Sequence, residues 1–188
     1  MKTIKLHFVR FFALTSLSAT IFGCGNNAST DSIYSIAPQE YAQLTEQYLQ
    51  HLANFEWEES YRFLSDNVEF KLPDGDTDTR TTFKGLDNVK EYWNTYPQNS
   101  GNTSTVLKNF VHVPVQANQM VENVGVTGVF DICYFSAELT FASGKANVRM
   151  HWALHFDDKK KIDGIYTYFD RTPITNAAKK NFLETESR

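Results

Sequence analysis

The sequence predicts an α+β domain in which helices come first and long antiparallel strands follow. Three observations carry that reading. Val148, Met150, Trp152, Leu154 and Phe156 are apolar, while the alternate row is Asn147, Arg149, His151, Ala153 and His155. A period of two marks a strand with unlike faces, because successive side chains point to opposite sides of a sheet. Tyr41, Leu44, Tyr48, Leu49 and Leu52 instead recur three and four apart, the period of an amphipathic helix. The order is helix, helix, strand, helix and then a run of long strands, which segregates helices from sheet as α+β domains do.

The chain opens on a leader. Lys2, Lys5 and Arg10 precede a short apolar run, Phe11–Phe22, followed by Gly23 and Cys24. A basic start, an apolar run and a small residue before the cleavage point describe a secretory signal. The run falls short of the ~20 apolar residues a spanning helix needs. Ile21-Phe22-Gly23-Cys24 resembles the lipobox of bacterial lipoproteins, although Phe22 stands where that family usually has a small residue. The resemblance implies a signal peptide over 1–23 and a lipid such as palmitate on Cys24. It also implies a cell-envelope protein anchored to a bacterial membrane and facing the periplasm or the exterior. A secreted chain cleaved nearby, with Cys24 free, is the alternative. Residues 24–37 read as a flexible tether, on the order of 20 Å across as a coil.

The domain is expected over 38–174, with a polar tail at 175–188. Pro38 suits a first helical turn and Glu40 its positive end, so the first helix runs to about Ala53, where Asn54 breaks it. A second, short helix from about Glu56 to Leu64 is expected to bury Trp57, Tyr61 and Phe63 or Leu64. The turn Ser65-Asp66-Asn67 leads into the alternating strand Val68–Leu72. Pro73–Asp78 is a loop and Thr81–Lys84 a short strand. Gly85 precedes a third helix, Leu86–Tyr96, with Val89, Tyr92 and Trp93 on one face, and Pro97–Thr103 reads as a polar loop. Strands are expected at Val106–Val115, Val124–Ile132 and Ala137–Phe141. A final hairpin joins residues 147–156 to the β-branched and aromatic run Ile162–Phe169 through the charged turn Asp157–Lys161. The tail holds a weak helical turn or two near Ala177–Leu183.

Charge narrows the partners. The chain has 18 Lys and Arg against 22 Asp and Glu, a formal charge of −4. Removal of residues 1–23, which hold Lys2, Lys5 and Arg10 and no acid, takes it to −7. Nucleic-acid binding needs a basic face, so no nucleic acid is expected, and the membrane link would be the lipid alone. Cys24 and Cys133 are the chain's two cysteines. With Cys24 acylated no intrachain disulfide is available, and Cys133 in an apolar strand reads as a small buried hydrophobe.

Phe63–Gly75 (FLSDNVEFKLPDG), Phe83–Trp93 (FKGLDNVKEYW) and Lys161–Ile174 (KIDGIYTYFDRTPI) together resemble the SnoaL-like branch of the nuclear transport factor 2-like superfamily. The resemblance spans about Pro38 to Ile174. It implies a cone-shaped fold in which a strongly curved antiparallel sheet wraps the first helix and encloses an apolar pocket. Many members pair through the outer sheet face, so a homodimer of that kind is a possible partnership here. The superfamily also includes isomerases, dehydratases, epoxide hydrolases and cyclases.

Two family chemistries can be compared with this chain residue by residue. In the ketosteroid isomerases the base is an Asp immediately before the proline ending the first strand; Leu72 stands there, ahead of Pro73. Their oxyanion-holding Asp falls near Trp152, so both carboxylates are missing. The epoxide-hydrolase-like members place an Arg and an Asp two apart on one strand and a second Asp on the next. This chain offers Arg149, His151 and Asp170, with His in place of the strand Asp. Asp131, the lone charge in Val124–Ile132, is a further candidate for a buried acid. The competing reading puts Asn147, Arg149, His151 and His155 on the outer face, because burying Arg and two His unpaired costs several kcal/mol. Met150 and Trp152 would then line the pocket, with Trp93, Phe130 and Tyr166 completing an apolar ligand site.

No cofactor is expected, and no metal. On a strand His151 and His155 lie ~13 Å apart and cannot share an ion. Asp74, Asp76 and Asp78 open like a calcium loop, but Thr79 and Gly85 stand where that loop needs Gly and Glu. Asp170 suits a capping role before Arg171-Thr172-Pro173. The favoured function is non-catalytic binding of a small apolar molecule or a partner; the alternative is a small acid–base lyase, isomerase or hydrolase of polyketide-cyclase type.

Overall fold

The computed structural model describes residues 32–120 and 125–181. The segment expected to be a signal peptide, 1–23, and Cys24 lie outside the described residues. The elements run β1 (Tyr34–Ile36), α1 (Glu40–Ala53), α2 (Trp57–Tyr61), β2 (Leu64–Lys71), β3 (Thr82–Lys84) and α3 (Leu86–Ser100). They continue as β4 (Asn102–Ala117), β5 (Gly128–Phe141), β6 (Gly144–Phe156), β7 (Ile162–Tyr168) and α4 (Thr172–Ala178). Seven strands form one curved, unclosed sheet in the order β1-β4-β5-β6-β7-β2-β3, with β2 parallel to β7. The fold is α+β: α1 packs over β4 and β5, α3 over β2 to β4, and α4 against β5 and β6.

The β6–β7 hairpin is built as its alternation dictates. Val148, Met150, Trp152, Leu154 and Phe156 are all buried, on the side that faces the helices. Its turn is held by one side chain: Asp157 Oδ1 accepts from the Lys159 N–H (2.8 Å) and the Lys161 N–H (2.9 Å). The same face of β5 carries Cys133, Phe135, Ala137, Leu139 and Phe141, and β7 adds Ile165 and Thr167, all buried.

Five expectations need correction. The end of the supposed tether is structured: β1 pairs with β4 through Tyr34↔Ala117 to Ile36↔Val115. Helix α3 does not stop at Tyr96 but continues through Pro97 to Ser100. Proline lacks one N–H bond there, yet burial of Val89, Trp93 and Ser100 holds the helix, and Gly101 at φ +73° ends it by donating to the Pro97 carbonyl (2.8 Å). The two strands expected at 124–132 and 137–141 are one, β5, because Cys133–Ser136 pair continuously with β6. Ser65–Asn67 lie within β2, at a register irregularity rather than a separate turn. The tail helix forms earlier, at Thr172–Ala178, with Ile174 and Ala177 buried.

One irregularity redirects a side chain. On β4, Lys108 pairs with Ser136 and Val111 with Tyr134, so β4 has one residue more than β5 across this interval. Asn109 absorbs it in the left-handed region at φ +56°, a β-bulge. Before the bulge Leu107 faces the helices; after it the phase is inverted, and His112 faces them instead.

Candidate functional site

Between α1, α3 and the concave side of the sheet lies a cavity of about 90 Å³. Leu49 and Leu52 of α1, Tyr92, Trp93 and Tyr96 of α3, Phe70 of β2, and Phe135, Ala137, Met150 and Trp152 of β5 and β6 form most of its wall. Phe169 and Ile174, before and within α4, close it. The rings are continuous through the wall: Trp57 stacks on Trp93 at 5.9 Å, Trp93 on Phe70 at 5.5 Å, and Phe70 meets Trp152 at 6.0 Å.

No carboxylate, His, Lys or Arg stands among the described lining residues. The cavity's ionisable groups are phenols. Burial, with Tyr96 and Asp74 adding to it and Arg171 opposing, pushes the Tyr92 phenol far up. Burial likewise raises Tyr96 against the hydrogen bonds of Asn102 and Ser100. Both are neutral near pH 7, able to hydrogen-bond but poor as bases. The Trp93 and Trp152 indole N–H groups are buried without a partner. An unpaired buried donor costs about 1–3 kcal/mol, so an occupant that accepts from either would relieve that cost.

Trp93, Met150 and Trp152 thus stand in the cavity wall, where sequence reasoning places a ligand site. Phe130 and Tyr166 do not. Phe130 pairs with His155 and Tyr166 with Ala153, which puts both on the convex face; their ring contacts are with His155 and each other. Sequence reasoning missed Leu49, Phe70, Tyr92, Phe135 and Ala137. The odd-numbered apolar row Cys133 to Phe141 was the signal for the last two.

The three polar candidates of the hairpin lie apart from the cavity. Arg149 is exposed and donates from Nη1 to the Asn109 carbonyl (2.8 Å) and to Ser136 Oγ (3.3 Å), holding the bulge from the convex side. His151 is sandwiched between Tyr134 (4.6 Å) and Tyr168 (5.3 Å), and burial lowers its pKa. Asp170 is exposed and accepts from the Thr172 N–H at 2.9 Å, a bond that holds its carboxyl below the usual range. The structure does not assemble Arg149, His151 and Asp170 into a group. In the acidic loop, Asp74 accepts from Thr81 N and Oγ1, and Asp76 from Thr77 N.

His155, on the convex row, is nonetheless buried. Its Nδ1 bonds Asp163 and its Nε2 the Thr127 carbonyl (2.9 Å); both ring nitrogens face acceptors, which favours the imidazolium. Burial works to lower its pKa, but these bonds and the Asp163 and Asp157 charges outweigh it, leaving the pKa raised. Gly128 sits against this ring at φ +120°, where a Cβ would come within 2.9 Å of Nε2.

Asp131 faces the helices and is fully buried. Its Oδ2 lies 2.7 Å from His112 Nδ1, while Oδ1 has no partner. The hydrogen bond to Asp131, with the charges of Asp131 and Glu46 adding to it, raises His112 against its burial. On the other side of the ring, Nε2 lies 3.6 Å from Glu46 Oε2 and 4.0 Å from Cys133 Sγ. His112 is absent from the sequence-based candidates because, without the bulge, its position in Val106–Val115 falls on the convex face.

No protein-family model and no curated protein matches the chain. Solved structures do. A candidate isomerase from Bacillus subtilis aligns with a TM-score of 0.58 at 11% identity, covering 78% of this chain and 97% of its own. An LEH-like epoxide hydrolase from M. tuberculosis aligns at 0.53 and 14% identity, covering 74% and 90%. A nuclear transport factor 2-like protein from Burkholderia xenovorans aligns at 0.53 and 11%, covering 77% and 99%. At these identities the likeness speaks to architecture. The chain has the nuclear transport factor 2-like fold.

Proposed function

We propose that this chain is a lipid-anchored cell-envelope protein whose domain holds a small apolar ligand without turning it over. The observation that carries the reading is the cavity's chemistry: an aromatic and aliphatic wall whose unpaired polar groups include two indole N–H donors. Size limits the occupant. Enzyme and cofactor pockets commonly measure about 300–1,000 Å³, and a cavity of about 150 Å³ admits benzene. At about 90 Å³ the cavity suits a ligand of roughly benzene size or less, with one acceptor atom; a larger one requires α4 to yield. Pyridine, a ring of benzene's size with one acceptor nitrogen, should raise the melting temperature of the wild type, and benzene, which lacks the acceptor, should raise it less. Ala137→Phe, which fills the cavity, should melt unchanged by either, and no shift in the wild type would end the proposal.

Anchoring is supported by Lys2–Cys24 and its lipobox-like end. In the expressing bacterium the wild type should enter the detergent phase and Cys24→Ala the aqueous phase; continued membrane pelleting of the variant would exclude lipidation. A homodimer through the convex face is supported by the exposed Val111, Val113, Tyr134 and Tyr168 on it.

A second reading, a lyase, isomerase or hydrolase acting on an apolar substrate, is favoured by the enzymes that share this fold, among them an isomerase-type protein and an epoxide hydrolase. Such an enzyme would work with Tyr92 and Tyr96 as hydrogen-bond donors. Turnover abolished by Tyr92→Phe, with ligand binding retained, would select it.

A further inference from the structure

We propose that Glu46, His112 and Cys133 form a binding site for one divalent transition-metal ion, zinc above all, with Asp131 orienting the histidine. The site is separate from the apolar cavity. It lies on the same concave face, with Glu46 on α1 above a cross-strand pair of β4 and β5, His112↔Cys133.

The geometry fits an ion at the free side of the imidazole. Zinc binds His nitrogen at ~2.0–2.1 Å, Cys sulfur at ~2.3 Å and carboxylate oxygen at ~2.0–2.2 Å. Tetrahedral angles then separate nitrogen from sulfur by about 3.6 Å and nitrogen from oxygen by about 3.4 Å. The observed separations are 4.0 Å from His112 Nε2 to Cys133 Sγ and 3.6 Å from Nε2 to Glu46 Oε2. Both separations from Nε2 are within a few tenths of an ångström of these values, and the Glu46 carboxylate, on a half-exposed side chain, must swing toward Cys133 Sγ to complete the set. Asp131 supplies what a ligating histidine needs behind it. Accepting from Nδ1–H at 2.7 Å, it fixes the tautomer that leaves the Nε2 lone pair free, as carboxylates do behind metal-bound histidines.

A second observation points the same way. Asp131 is completely buried and its Oδ1 has no partner, so this part of the core holds negative charge that its protein neighbours only partly satisfy. A nearby cation would compensate it. One nitrogen, one sulfur and one carboxylate select zinc, cobalt or copper over magnesium or calcium, whose shells are built from oxygen. Glu46 gives the ion a way in, since its side chain is 48% exposed while that of His112 is 10% exposed. Binding releases the Cys133 thiol proton to solvent, and the His112 proton where one is present, and forms the metal–thiolate and metal–imidazole bonds. Three protein ligands leave a fourth position for water.

The test uses the full chain, stripped of metal by a chelator and titrated with cobalt and then zinc. One ion per chain is expected. Cobalt should give a thiolate-to-metal charge-transfer absorption that survives Cys24→Ser and disappears in Cys133→Ser. A hundredfold excess of zinc over its dissociation constant should raise the melting temperature by roughly 5–10 °C. Glu46→Gln, at a half-exposed helix position that should not disturb folding, should weaken zinc binding about tenfold or more. If Cys133→Ser fails to fold by near-UV circular dichroism, Glu46→Gln still decides. A folded wild type that binds no ion would overturn the proposal, leaving His112 as an imidazolium between two carboxylates. Binding undiminished in Glu46→Gln would overturn it as well.

Discussion

On its concave side β6 presents Val148, Met150, Trp152 and Leu154, and on its convex side Arg149, His151 and His155. The convex row looks like chemistry and is largely occupied with structure. Arg149 holds the Asn109 carbonyl, His155 pins the segment at Thr127 and Gly128, and His151 is stacked between two tyrosines. The concave row looks like plain core, yet two indole N–H groups in the cavity wall there have no partner. Most polar side chains on a half-exposed sheet face find partners cheaply, because water and neighbouring strands are at hand, although His151 Nε2 there is buried without one. An unpaired donor in a dry cavity persists only at a cost, and so it is the more informative sign of a ligand.

Substitutions should separate the two faces by size of effect. Phe70→Ala removes a ring that touches Phe83, Tyr92, Trp93 and Trp152 and should cost about 3–5 kcal/mol in denaturant unfolding. Arg149→Met, on the convex side, should cost about 1 kcal/mol through the lost bond to the bulge, with faster amide exchange on β4 near Asn109. Unchanged exchange there would separate Arg149 from the bulge.

A smaller effect, and one that depends on pH, is expected of Asp163→Asn. His155 titrates near 6.5 in the unfolded chain and higher when folded. Its stabilisation is therefore complete below about pH 6.5 and is lost as pH rises through the folded value. The gap in melting temperature between wild type and Asp163→Asn should be widest at the acid end of that window and narrow above it; a gap that widened with pH would reverse the assignment. Val111→Lys should change the stability of the monomer least, within about 0.5 kcal/mol. If the convex face pairs two copies, it should also abolish the dimer in analytical ultracentrifugation.

The fold was legible where one physical rule governs a long stretch. The alternation of Asn147–Phe156 and the helical spacing of Tyr41–Leu52 are such stretches, and both stand where expected. It was not legible where tertiary structure overrides local preference. Pro97 lies inside α3 because the helix is packed on both sides of it, and three residues of an apparently polar tether form β1 because β4 has a free edge. The cavity was half legible. Trp93, Met150 and Trp152 follow from helix and strand phase, but Phe130 and Tyr166 were assigned to the wrong face because inter-strand register is not written in either strand alone. His112 was invisible for a sharper reason, since a single left-handed residue, Asn109, inverts the phase of the strand that carries it.

The central claim is that the concave cavity takes an apolar ligand through its indoles. The chain has three tryptophans, Trp57, Trp93 and Trp152, so a ¹⁵N–¹H correlation spectrum shows three indole resonances. On titration with pyridine, those of Trp93 and Trp152 should move together and saturate, that of Trp57 should move much less, and all three should stay fixed in Ala137→Phe. Resonances of Trp93 and Trp152 that remain in place at saturating ligand, or that move equally in the filled variant, would contradict the account.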